Sequence, residues 1–356
     1  MLLQPLDEVP INSTIASLPK ADLHLHQEEV ARLERVVARR QGRRPHDWQE
    51  SARRLMADRP PGAGRLAGMY RPDADLDLGD VLADDPEYLV AKMADALEES
   101  AADGAVLVEI RFGAGGLALM RPDFMALFRQ AERQVQARYP RLRAEAIGYL
   151  NLVNDQARLQ AAEQQLERCL RAASEGLAGL DLSVAPYDTK ADPSLWAVAY
   201  GMAERAADAG LGITAHAGEF SAANLAAALR VPGLRRLGHA VYAAADARLL
   251  EGLARSNVTV ECCLSCNVVL GAVPSYEDHP IRQFVASGIP VALSTDNPVR
   301  IWTTIGREYA IAAALGFSPA ELMAFTRNAI QASFTSAERR KALMDEMVPG
   351  YPTGAS

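Results

Sequence analysis

Cysteine is scarce in this chain, and so are the marks of export, membrane insertion or nucleic-acid binding. The four cysteines are Cys169, Cys262, Cys263 and Cys266, three of them within five positions, which is not the layout of a disulfide framework. Cys263 and Cys266 have CxxC spacing, yet a structural zinc site needs a second pair that the chain does not offer. They read as small residues of a strand and its turn. No apolar run approaches the ~18 residues of a membrane span. The first twenty residues hold neither the basic start nor the apolar core of a signal peptide. Lys and Arg number 37 against 45 Asp and Glu, a formal charge of −8, so a nucleic-acid partner, which needs a basic face, is not expected. What remains is a cytoplasmic protein of enzyme size, with 49% hydrophobic residues for a large core.

Short apolar, β-branched runs recur at 21–26, 104–112, 144–151, 179–186, 212–219, 236–242, 258–265 and 289–298. Several begin at Gly behind an Ala-, Glu- and Arg-rich segment, the usual helix stop before a strand. Helical periodicity fills intervals such as 154–175, 192–209 and 244–256. Eight strands alternating with helices predict an α/β (β/α)8 TIM barrel rather than an open sheet, since no GxGxxG opens a helix. Nearly continuous apolar strands suit a parallel sheet buried on both faces. A single domain is expected over 1–356, with an extended helical insertion at 27–103 after the first strand and extra helices at the C-terminus. Residues 31–71 carry eleven Arg, and residues 72–103 carry eleven Asp and Glu. Solvated helices that partly neutralise each other account for this pattern, and the length of the insertion suggests a lid.

The densest signal is Asp22-Leu23-His24-Leu25-His26. On a strand, residues i and i+2 share a face, so both imidazoles project together. In a barrel, reactive groups come from the C-terminal strand ends. His24, His26, His216, Glu219, His239, Asp296 and Asn297 all fall there, whereas His46 and His279 lie in the insertion and a loop. Three imidazoles and a carboxylate suit Zn²⁺ with one position left for water, whose pKa such an ion lowers to about 7. Turnover then needs a proton acceptor and a proton donor, parts open to His239 and Glu219. Glu109 and Arg111 read equally as ligand contacts or an internal ion pair, and Asp181 as an interior hydrogen-bonding group or a ligand contact. Trp48, Trp196 and Trp302 are expected in the core.

Six segments carry a family likeness: LPKADLHLHQE (18–28), DGAVLVEIRF (103–112), TAHAGE (214–219), RLGHAV (236–241), CLSCNVVLGAVPSYEDHPIRQF (263–284) and LSTDNPVRIWTTIGREYAIA (293–312). In this order they resemble the adenosine deaminase family of metal-dependent hydrolases, through nearly the whole chain outside the insertion. The PCxxC that accompanies HxE in the other zinc deaminases is absent, since Cys262 and not Pro precedes Cys263-Leu264-Ser265-Cys266. The resemblance implies one Zn²⁺ per chain held by His24, His26, His216 and Asp296. It implies Glu219 as the acid that protonates purine N1, and His239 as the group that orients and deprotonates the activated water, helped by Asp296. The activity implied is hydrolytic deamination of adenosine or a related 6-aminopurine nucleoside, with release of ammonia and a small-molecule purine as partner.

The substrate side, where His26, Glu28, Val184 and Asn297 stand, departs from the family pattern. Asn297 replaces the usual Asp opposite N7, and an amide donates where an ionised carboxylate only accepts. Glu28 keeps the carboxylate that meets the ribose, but Glu29 replaces a small Gly. Ser183-Val184 stands where a Gly lets the backbone approach N3. An active deaminase with an altered substrate is therefore expected: adenine, an N6-substituted purine, or a modified nucleoside with an acidic appendage that the Arg-rich insertion would meet. A purine-binding protein without catalysis is disfavoured by the intact Glu219 and His239. No residue pattern specifies an oligomeric state.

Overall fold

Eight strands pair in parallel and in chain order: β1 (Lys20–His26), β2 (Ala105–Gly113), β3 (Arg143–Leu152), β4 (Gly179–Val184), β5 (Gly212–Ala217), β6 (Leu234–His239), β7 (Thr259–Cys262) and β8 (Val291–Leu293). The computed structural model describes residues 3–71, 76–79, 81, 85–113, 117–185 and 191–347. The ring closes where β1 meets the segment after β8. His26 N donates to Asp296 O at 2.7 Å and Asp296 N to His24 O at 2.6 Å, a parallel bridge between Leu25 and Asp296. The expected TIM barrel is thus the fold. All eight expected runs contain a strand, although β7 and β8 are short because residues 264–269 turn into a helix and residues 294–304 into a loop. The predicted helices form as Gln156–Ala173, Pro193–Asp208 and Ala247–Ser256, and the C-terminal one as Ala337–Met347. Residues 348–356, and residue 186 of the expected fourth run, lie outside the described residues. Among the described residues no helix is long and apolar enough to cross a membrane.

Helices Glu29–Arg40, Trp48–Asp58, Ala63–Met69 and Pro86–Ala102 occupy the 27–103 connection. Its opposite charges do pair, but the expectation of solvated faces needs correction. Arg32 is fully buried and donates to Asp95 at 3.0 Å and meets Glu99 at 2.7 Å, while Arg35 reaches Glu99 at 2.6 Å and Arg39 reaches Asp95 at 2.8 Å. Helices 29–40 and 86–102 pack face to face, so the Arg32 guanidinium ends up inside the contact, where a paired charge persists, while Arg39 stays 60% exposed at its edge. Trp48 and Trp196 are buried as expected; Trp302 is not. The turn after β8 holds its backbone at φ 55° and turns the ring outward, 45% exposed.

Candidate active site

The site sits on the seam that closes the barrel. Strand alternation puts His24 and His26 on the inner face of β1, and the bridge to Asp296 brings the loop after β8 against them. His26 Nε2 lies 3.3 Å from Asp296 Oδ1 and 3.3 Å from His216 Nε2, and His24 Nε2 lies 3.7 Å from Asp296 Oδ1. His24, His26 and His216 each present a ring nitrogen within 4.8 Å of the others, and so do ring nitrogens of His24 and His239 with a carboxylate oxygen of Asp296. Residues from β1, β5, β6 and the loop after β8 thus converge, although His24 and Asp296 stand 272 positions apart in the sequence.

Each of two histidines is held from behind by a carboxylate. His24 Nδ1 faces Glu261 Oε2 at 2.8 Å, and His216 Nδ1 faces Asp181 Oδ1 at 3.0 Å. Donation from Nδ1 leaves a lone pair on each Nε2, the atom turned toward Asp296 and His26. Arg111 is fully buried and binds both carboxylates, through Nε to Asp181 and through Nη2 to Glu261 at 2.6 Å. Arg236 completes the interior set, with Nε on Glu261 Oε1 at 2.6 Å and Nη2 on Glu109 at 2.7 Å. Arg111, Glu109 and Asp181 therefore serve the interior ionic network. Gly238 makes room for the arrangement: a Cβ there would fall 2.8 Å from His24 Cε1.

The donor set fits a metal ion. Among the described residues, His24 Nε2 is buried with no hydrogen-bond partner, 3.7 Å from Asp296 Oδ1. A buried polar atom left in that state is costly, and a divalent cation resolves it. Cys266 Sγ lies 2.7 Å from Asp296 Oδ2, and Asn297 Nδ2 donates to Asp296 Oδ1 at 2.6 Å, so the carboxylate is oriented from both sides. Asp296 itself adopts φ 66°, and His239 φ 68°, left-handed conformations that cost about 1–3 kcal/mol each and that cluster at working sites.

Glu219 follows the end of β5 and is almost fully buried. Burial first, then the charge of Asp296, pushes its carboxyl well above the ordinary carboxylate range. His239 Nε2 lies 3.7 Å from Glu219 Oε2. Burial, with His216 and His26 close by, holds His239 well below the usual histidine value, so the ring is neutral. Asn267 Nδ2 lies 3.3 Å from Glu219 Oε1 and 3.2 Å from His239 Nδ1, and Asn267 Oδ1 lies 3.2 Å from His279 Nε2.

On the substrate side, Val184 is buried at the end of β4, its carbonyl taken by Asn224 Nδ2 at 3.3 Å. Glu28 is also buried, and its carboxylate accepts from Val299 N at 3.0 Å and Arg300 N at 2.9 Å, with Arg32 3.5 Å away. Tyr70, more than half exposed, stands within electrostatic reach of Asp296, Cys266 and Glu219. Tyr70, Asn267, Cys266 and Glu261 were not read from the sequence as site residues. Only Glu261 carried a signal, a carboxylate inside the apolar run 258–263.

Comparison with known proteins agrees with this arrangement. The family model described as adenosine deaminase matches residues 19–349. An adenine deaminase of Rhizobium leguminosarum bv. trifolii is 44% identical over 141 residues, which is 39% of this chain and 44% of that protein. The chain thus spans less than half the length of that curated relative in the matched region. Among solved structures, an adenine deaminase from Arthrobacter aurescens superposes with a TM-score of 0.71 at 22% identity, covering 93% of this chain and 98% of that one. An amidohydrolase from Burkholderia ambifaria with bound Zn superposes at 0.71 with 19% identity, covering 98% and 95%. At such identities these likenesses speak for the barrel alone.

Proposed function

The chain belongs to the adenosine deaminase family, and from that premise we propose that it hydrolyses the amino group from C6 of a 6-aminopurine. The observation that carries this is the meeting of three imidazole nitrogens and one carboxylate beside a buried Glu219, whose pKa burial raises. One Zn²⁺, the ion this nitrogen and oxygen set suits, held by His24, His26, His216 and Asp296, would supply Lewis-acid activation of a water at neutral pH. Glu219 gives its proton to ring N1, so the ring accepts the electron pair as the water oxygen bonds to C6. His239 and Asp296 orient that water and handle the proton it loses. This proton passes to the amino group, which leaves as ammonia; the hydroxyl proton of the adduct restores Glu219 as C6 becomes a carbonyl. Burial of His24, His216, Glu219, His239 and Asp296 limits bulk water and strengthens each charge interaction.

Two readings of the substrate follow, a nucleoside and a free or modified base. The Glu28 carboxylate favours the second, because it is turned onto the 299–300 backbone with no side-chain surface exposed to meet a ribose hydroxyl. His26 and Asn297 then border the purine, with Val184 limiting the approach to its N3 edge. Ammonia release by the zinc-loaded protein from adenosine, deoxyadenosine, adenine, N6-methyladenine and an aminopurine nucleotide tests this. Turnover of at least one is expected, with adenine above adenosine. Tight purine binding with ammonia from none of them would replace the enzyme by a purine-binding protein.

A further inference from the structure

We infer that His279 and Asn267 form a positioning relay that fixes where two catalytic protons sit, on Nε2 of His239 and on Oε2 of Glu219. Ile281 N–H can only donate, and it lies 3.2 Å from His279 Nδ1, which must therefore accept. His279 is buried, and burial lowers its pKa to about 3, so the ring is neutral and its single N–H is on Nε2.

That N–H faces Asn267 Oδ1 at 3.2 Å, which settles the orientation of the amide. Its carbonyl points to His279 and its NH₂ to Glu219 Oε1 and His239 Nδ1. A flipped amide would set N–H against N–H at His279. His239 Nδ1 accepts, so the neutral ring carries its proton on Nε2, the nitrogen on the Glu219 Oε2 side. Glu219 Oε1 likewise accepts from Asn267, so the acid proton resides on Oε2. One side-chain amide thus sets both donors at once.

The consequence refines the chemistry, and it takes its catalytic meaning from the function proposed above. His239 offers an N–H and orients the water oxygen, so Asp296 is the group that takes the proton. Neither His279 nor Asn267 touches a reacting atom; both act through their neighbours.

The test is the tautomer of His239, read by two-bond ¹H–¹⁵N correlation NMR on the zinc-loaded, [¹⁵N]histidine-labelled protein. The Nε2–H form is expected in the wild type. His279→Leu removes the fixed donor, so mixed tautomers are expected, with kcat lower by roughly tenfold to a hundredfold and KM little changed, short of the ~10²–10⁴ of a full acid–base group. His279→Gln, which can accept from Ile281 and donate to Asn267, should restore the Nε2–H form and most of kcat. An Nδ1–H wild type, or a folded His279→Leu with the wild-type tautomer, overturns the relay. The spectrum needs no turnover, so failure of the deaminase assignment alone leaves this result readable.

Discussion

His26 and Asp296 meet twice. Their main chains share the 2.7 Å hydrogen bond that closes the barrel, and their side chains face each other at 3.3 Å in the site. Closing the fold and assembling the ligand set are therefore one event. It follows that bound metal should stabilise the whole chain, by about 2.7 kcal/mol at a hundredfold excess over Kd. Thermal unfolding with and without chelator checks this. His24→Ala should lose both the metal and the gain in Tm, since it removes one nitrogen of an otherwise complete set.

Gly238→Ala should weaken metal binding without touching any ligand. The added methyl would sit 2.8 Å from His24 Cε1, and a ring fixed behind by Glu261 cannot retreat. Competition against a chromophoric chelator should show affinity lower by about 10–100-fold, the range for disturbed support of a ligating histidine. Unchanged affinity would mean that the His24 ring is less constrained than its surroundings imply.

Glu219→Gln should keep metal and purine but lose turnover by about 10²–10⁴-fold. Glutamine matches the shape and still accepts from Asn267, yet has no acid proton to give. Metal content, purine binding and kcat measured on the same preparation separate these effects.

The pH profile has a sign fixed by two opposite shifts. Glu219 must be protonated, and its pKa is raised, so turnover falls as pH rises through that raised value. His239 must be neutral, and its pKa is lowered well below 6.5, so turnover falls only as pH drops through that lowered value. A plateau spanning neutral pH is expected in kcat, and its alkaline limb should disappear from the residual activity of Glu219→Gln. A steep loss of kcat between about pH 7 and about pH 6 would contradict the neutral His239.

Much of this was legible before any coordinates. The strand runs announce the barrel because a parallel sheet buried on both faces must be apolar throughout, and His24, His26, His216 and Asp296 stand out because nothing but chemistry places them at strand ends. The supporting residues were not legible. Asn267 and His279 matter through the turn at 263–281, where the pairing depends on backbone direction and not on any residue pattern. Nor does the sequence show that the 299–300 loop donates two backbone N–H groups to Glu28. Trp302 looks like core, and only the left-handed turn after β8 expels it.

Asn297→Asp should raise adenosine turnover. The amide now donates to Asp296 at 2.6 Å, and a protonated carboxyl there would offer a single strong donor to purine N7. The kcat/KM for adenosine is the measurement, with a rise of about tenfold expected for one altered hydrogen bond of about 1.4 kcal/mol.

The most direct test of the central claim is the metal content of the purified protein and of His216→Ala, by elemental mass spectrometry after removal of loosely bound ions. The account predicts one zinc per chain in the wild type and a small fraction of that in the variant. A wild type that folds and stays metal-free when offered zinc, or a variant that keeps its full equivalent, would contradict it.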